Sequence, residues 1–272
     1  MKEKLLHFTK DKKFWTYLII ACLCALVVCG LILGIKYVNR RQAEKVYDDL
    51  TNQFVSIRPS TGENGDEDNS SNSAEPGGAL DIDFKELQKV NSDTYAWLEV
   101  PGTGISYPVV QHLEDASYYL NHTIDKRKGL PGTLFSEPYH STTMYEPIHI
   151  IYGHNMKNKS MFGVLHDYEK EGYLEEHSYA YLYTPDKIYV YRIFAAVLAS
   201  DEHFLNKFDF STREGKSEYL NAIYNSSEKN EKNHYLNDFQ VTTEQKILIL
   251  STCTNDSKKL RYTLHSALID VR

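Results

Sequence analysis

The chain has 272 residues, 12% of them aromatic and 25% charged, and a net charge of −7. The first 45 residues hold nine basic and three acidic side chains (+6), so −13 is left for the remainder. A region that acidic is a poor nucleic-acid binder, because phosphate contacts need clustered Lys and Arg, and no nucleic-acid partner is expected. Cys22, Cys24 and Cys29 share one apolar N-terminal run, which leaves Cys253 without a downstream partner. That excludes a disulfide-stapled module, and one thiol is too few for a cysteine-rich zinc site. Stability must come from a core, which residues 81–272 are numerous enough to bury.

From the N-terminus, Phe14 to Ile35 is a run of 22 residues without a charge. It is long enough to span a bilayer and long for a signal-peptide core. Lys2, Lys4, Lys10, Lys12 and Lys13 precede it, against Lys36, Arg40 and Arg41 behind it. The larger cluster in front favours a cytoplasmic N-terminus and an outward-facing remainder. A cleaved signal peptide would want a small-residue cleavage site, and none follows the apolar core. A lipoprotein anchor at Cys22 would leave too short an apolar run before it. An uncleaved, single-pass anchor in the cell membrane is the expectation. The organisation read from this is a cytoplasmic N-terminus (1–13), a transmembrane signal anchor (14–38), a charged stalk and disordered linker (39–80) and a folded domain (81–272).

Gln42 to Ile57 reads as a charged, weakly amphipathic helix. Pro59 to Ala79 holds five acids and almost nothing apolar, so it reads as a flexible spacer. Asp81 or Asp83 can cap a short helix carrying Phe84, Leu87 and Val90 on one face. Short β-type runs follow at Ala96–Val100, Ile105–Val110, Pro147–Tyr152, Tyr179–Tyr183, Ile188–Ala199, Ile247–Cys253 and Leu260–Val271. Pro101-Gly102, Thr103-Gly104 and Pro131-Gly132 punctuate them. Helices are expected at Ser160–Lys170 and Thr212–Ser226. Many short strands with few helices point to a mostly-β barrel or sandwich.

Cys253 ends its run and meets the polar loop Thr254–Lys259, so its side chain can sit at a sheet rim. A cysteine nucleophile needs a proton-transferring partner and donors for a developing oxyanion. If the last two strands form a hairpin, Arg261 returns to the same rim. Leu260, Tyr262, Leu264 and Leu268 alternate inward there, while Arg261, Thr263 and His265 take the other face. Among eleven histidines, His154 is a strand-end residue like Cys253; His265 is its rival. His149 reads as packed within its strand. The other histidines, His140, His166 and His203 among them, read as solvated. No H-E-x-x-H or C-x-x-C pattern is present, and neither a metal nor a cofactor is expected. Ser251 shares strand parity with Cys253 and should face a substrate, whereas Thr252 should pack or bond to the backbone beside the thiol.

Ile249-Leu250-Ser251-Thr252-Cys253 resembles the T-L-x-T-C motif of sortases, with Arg261 eight residues on, where that family keeps its active-site arginine. Tyr152-Gly153-His154-Asn155-Met156, followed by Ser160-Met161-Phe162-Gly163, is similar to the histidine segment of class B sortases. Trp97 through Gln111 and Tyr118-Tyr119-Leu120-Asn121-His122 resemble the N-terminal barrel segments of that class. The resemblance covers roughly residues 81–271. Ile249 stands where the motif opens with threonine, a change expected to alter packing and not chemistry. Ala116 stands where many class B members carry asparagine.

The resemblance implies a sortase-like closed barrel of about eight strands with a few peripheral helices, preceded by one transmembrane helix. It implies a cysteine transpeptidase with catalytic His154, Cys253 and Arg261, and Ser251, Thr252, Asn155 and Leu120 as candidate substrate contacts. The implied partners are secreted proteins bearing a C-terminal sorting signal of the Asn-Pro-x-Thr-x kind, a lipid-linked peptidoglycan precursor that supplies an amine, and the membrane itself through residues 14–38. A pilin-polymerising sortase and a cell-wall cysteine peptidase are the alternatives. Peptidases of the papain type usually place cysteine before histidine, the reverse of the order here. A non-catalytic surface-binding domain with Cys253 merely buried is the alternative of a different class.

Overall fold

The computed structural model describes residues 12–57, 80–225, 231–254 and 257–272. The expected spacer at 59–79 and most of the N-terminal segment before the apolar run lie outside the described residues. The chain divides into two compact units, residues 1–45 and 46–272. Helix α1 (Lys12–Phe54) is continuous where two helices were expected. Among the described residues it is the one helix long and apolar enough to cross a membrane.

In the second unit, the last turns of α1 bury Tyr47, Leu50 and Phe54. Tyr47 Oη donates to the Gly132 carbonyl, meets Thr133 Oγ1 at 2.9 Å and accepts from the Ile124 N–H at 3.2 Å. Burial pushes this phenol well above its ordinary pKa. Strand β1 (Val55–Ile57), expected as helix, pairs antiparallel with β2 (Leu80–Ile82). Asp83 then caps α2 (Phe84–Val90) by accepting from the Glu86 N–H at 3.0 Å. Phe84 and Leu87 are buried as the spacing predicts, but Val90 is 39% exposed and does not join them.

The barrel is built from β3 (Thr94–Val100), β4 (Ile105–Val110), β5 (Leu134–Phe135), β6 (Ile148–Tyr152), β7 (Tyr179–Tyr183) and β8 (Ile188–Ser200), with β10 (Ile247–Cys253) and β11 (Leu260–Val271). A two-residue strand, β9 (His234–Tyr235), hangs on the outside of β8. The order β11-β10-β6-β5-β4-β3-β7-β8 closes because β11 also pairs with β8, giving a closed eight-stranded barrel with few helices. Closure leaves these strands no free edge except through their ends.

The apolar run Ile247–Leu250 is uninterrupted because both faces of β10 are covered. Leu248 and Leu250 belong to the main hydrophobic cluster with Trp97, Leu98, Ile151, Tyr262 and Leu264. Ile247 and Ile249 face outward with Ile148, Ile150 and Phe194, beneath Tyr219 and Ile223 of α5 (Arg213–Tyr224). Each such side chain contributes about 1.5–3 kcal/mol on burial. Ile249 is fully buried, so its substitution for threonine is a packing change, as expected. Two short helices, α3 (Tyr173–Glu176) and α4 (Phe204–Lys207), were not foreseen. The helix expected at Ser160–Lys170 is a 3-10 turn at Gly163–Glu169. Its start is pressed onto the preceding loop, where a Cβ on Gly163 would lie 2.2 Å from the Met156 carbonyl oxygen.

Candidate active site

Three parallel or antiparallel neighbours, β6, β10 and β11, floor the site. Ser251 pairs with Tyr152 on one side and Thr263 on the other, and Cys253 pairs with Arg261. Side chains of one parity therefore leave the outer face in rows. One row runs Ile247, Ile249, Ser251, Cys253, and the neighbouring one Ala267, His265, Thr263, Arg261. Helix α5 covers the rows near Ile249 and His265 and leaves the Cys253 end open. There lies a groove of about 310 Å³ lined by Leu120, His154, Ser251, Thr252, Cys253 and Arg261, together with Phe135, Ile150, Tyr152 and Phe204.

Cys253 is exposed at this groove. Thr252, of opposite parity, donates from Oγ1 to the Gly153 carbonyl at 2.8 Å, and the Gly153 N–H donates to the Ser251 carbonyl at 3.2 Å. These bonds extend the β6–β10 pairing past Tyr152 and bring His154 to the rim. Gly153 is required for the approach: a Cβ there would lie 2.5 Å from Leu134 Cδ2 and 2.7 Å from Phe162 Cδ2. His154 Nε2 lies 2.5 Å from the Leu120 carbonyl oxygen. A carbonyl only accepts, so Nε2 carries the proton and Nδ1 is the position left for proton exchange. Arg261 donates from one terminal nitrogen to the Lys258 and Leu260 carbonyls, each at 3.0 Å, which fixes the guanidinium and leaves its other donors available.

Of the candidate substrate contacts, Leu120, Ser251 and Thr252 line the groove. Asn155 is not among the lining residues: its amide donates to the Cys253 carbonyl at 3.0 Å, on the side away from the thiol. His265 is fully buried between Tyr219 Oη at 2.6 Å and Thr263 Oγ1 at 2.8 Å, under α5. Burial lowers its pKa to about 3, so it stays neutral and is cut off from the groove. Of the two histidines, His154 lines the groove and His265 does not.

Several groove residues escaped the sequence reading. In the groove, His203 Nε2 pairs with Glu137 Oε2 at 3.0 Å and meets Tyr152 Oη at 3.0 Å. Burial, with Glu137 adding to it, pushes the Tyr152 phenol up. Three histidines expected to be solvated are not. His140 is 3% exposed with its pKa lowered to about 4 by burial, His203 lines the groove, and the His166 side chain is 15% exposed. His203 meets Glu137 and Tyr152, and His166 meets the Cys253 carbonyl, all far from them in sequence and so outside the reach of local spacing.

Known proteins resemble this chain in sequence and in fold. Residues 98–269 match the family model described as the sortase domain. The chain is 26% identical over 252 residues to sortase B of Listeria monocytogenes, covering 90% of this chain and 94% of that protein. It is 24% identical over 242 residues to sortase B of Staphylococcus aureus, covering 89% and 90%. Among solved structures, sortase B from Bacillus anthracis superposes with a TM-score of 0.66 at 25% identity, over 87% of this chain and 99% of that one. The chain belongs to the sortase family of cell-wall cysteine transpeptidases, in its class B.

Proposed function

We propose that Cys253 is the nucleophile, His154 the proton-transferring base and acid, and Arg261 the oxyanion-stabilising cation of a reaction on a C-terminal sorting signal of the Asn-Pro-x-Thr-x kind. The Cys253 sulfur attacks the threonine carbonyl, the peptide C–N bond breaks, and the departing amine takes a proton from His154. An incoming amine from a peptidoglycan precursor then attacks the thioester, yields its proton to His154, and releases the thiolate. Arg261, charged at every accessible pH, meets the oxyanion in both steps. The observation that carries this reading is that Cys253, His154 and Arg261 line one groove together with Ser251 and Leu120.

The substrate preference has support in the shape of that groove, where Leu120, Phe135, Ile150 and Phe204 offer apolar contact to an extended peptide. Residues 14–38 anchor the chain in the cell membrane with a cytoplasmic N-terminus. The barrel then meets exported proteins and lipid-linked wall precursors at the same surface. The test is to incubate the detergent-solubilised full chain with Asn-Pro-x-Thr-x and Leu-Pro-x-Thr-Gly peptides and an amine. Mass spectrometry should find the peptide N-terminal half joined to the amine through threonine, preferentially from the first peptide. Equal use of both peptides would refute the class B preference, and hydrolysis with no amine product would favour a peptidase.

A further inference from the structure

The exposed Cys253 side chain has little packed on it, so its position depends on its main chain. Its carbonyl is met by Asn155 and by His166 of the 3-10 turn Gly163–Glu169, neither of which lines the groove. Asn155 Nδ2 donates to it at 3.0 Å, and His166 Nε2 lies 3.1 Å from it. The same His166 nitrogen lies 3.0 Å from Asn155 Nδ2. At the other side of the ring, Nδ1 donates to Glu169 Oε1 at 2.6 Å, since a carboxylate only accepts. The ring stacks on Tyr262 with centroids 5.3 Å apart, and Tyr262 adjoins Arg261. Asn155 adjoins His154. One imidazole thus reaches the nucleophile directly and the other two members of the site through their chain neighbours.

We propose that His166 is a positioning residue for Cys253, acting together with Asn155 on the main-chain carbonyl of the nucleophile. This rests on the reading of Cys253 as nucleophile. The Nδ1 proton is committed to Glu169, so Nε2 alone decides the pattern. With a proton, Nε2 donates to the Cys253 carbonyl. Without one, it opposes that carbonyl lone pair to lone pair, and the Asn155 amide must serve both acceptors.

The charged groups around the ring are Glu169 and Asp167 on its own turn. Lys159 and Lys170 pair with Asp167, and Lys232 pairs with Glu169 at 3.4 Å. Tyr262 faces the ring from β11, and His234 Nε2 reaches the Glu169 carbonyl at 3.1 Å. A mispositioned nucleophile loses turnover without losing affinity, because neither His166 nor Asn155 lines the groove.

The test compares the detergent-solubilised full chain with its His166→Ala and His166→Gln variants. Three quantities are read: melting temperature, turnover of the sorting peptide with an amine, and the rate of Cys253 alkylation by iodoacetamide, which needs no substrate. His166→Ala should lower kcat about 10- to 100-fold with KM within about twofold, and should alter the alkylation rate. His166→Gln, whose side-chain amide can replace the ring nitrogen beside Asn155 and the Cys253 carbonyl, should recover most of kcat. The proposal is overturned if His166→Ala keeps both rates, or if Gln restores no more than Ala at equal melting temperature. A chain whose alkylation depends on His166 but which turns over no peptide would refute the transpeptidase reading and keep the clamp.

Discussion

Cys253 and Arg261 face each other as the last paired residues of the β10–β11 ladder, in antiparallel register. The thiol and the guanidinium therefore reach the groove from adjacent strands of one sheet, with the guanidinium further held by the Lys258 and Leu260 carbonyls. Arg261→Lys should lower kcat/KM about 10²- to 10³-fold, because a lysine supplies one point charge where Arg261 supplies a fixed fork. Steady-state kinetics at unchanged melting temperature checks this; activity within about threefold of the wild type would remove Arg261 from the oxyanion role.

His154 and His265 make opposite predictions. His154→Gln should abolish turnover, the base contributing about 10²- to 10⁴-fold, while leaving the melting temperature nearly unchanged at this exposed rim. His265→Gln should do the reverse, since His265 is buried and bonded to Tyr219 and Thr263. Thermal scans and turnover measured on both variants decide it. A stable, inactive His265 variant would reverse the assignment.

Stability should fall in acid through His140 and His265. Burial lowers their pKa values from 6.5 to about 4 and about 3. The unfolded chain, whose imidazoles keep the ordinary value, binds more protons below about pH 6.5. The stability they permit is complete above that pH and is lost as pH falls through the window towards 4 and then 3. The urea midpoint should drop between pH 7 and 4.5, and less steeply in His265→Gln; parallel curves would contradict this.

Tyr47→Phe should destabilise the barrel by about 1–3 kcal/mol, because its buried hydroxyl serves Gly132, Thr133 and the Ile124 N–H at once. The loop tied down by Tyr47 also carries Leu120, the acceptor for His154. Melting temperature should therefore fall together with kcat, and a variant that melts lower with full activity would uncouple the two.

The strands β4, β7, β10 and β11 run over the residues that alternation and turn signals assign to them, because each is bounded by polar or glycine-rich turns and buried on at least one face. Strand β5 is two residues long and exists only through its neighbours, so no local pattern announces it. Val55–Ile57 likewise becomes a strand only by meeting Leu80–Ile82. In the site, Cys253, His154 and Arg261 were legible because each ends or opens an apolar run. His166, His203 and Glu137 were not. Their partners are set by closure of the barrel, which brings His166 to a carbonyl 87 positions away. Asn155 was legible as a neighbour of His154, but its side chain serves the Cys253 carbonyl and does not line the groove.

The central claim is that Cys253 forms a thioester with the threonine of a sorting signal. The most direct measurement is intact-mass and peptide-level spectrometry of the full chain, quenched in acid after brief incubation with an Asn-Pro-x-Thr-x peptide and no amine. The account predicts an adduct on Cys253 equal to the peptide through its threonine, discharged by an added amine and lacking in Cys253→Ala. Cleavage of the peptide by the Cys253→Ala variant, or an adduct on any other residue, would contradict it.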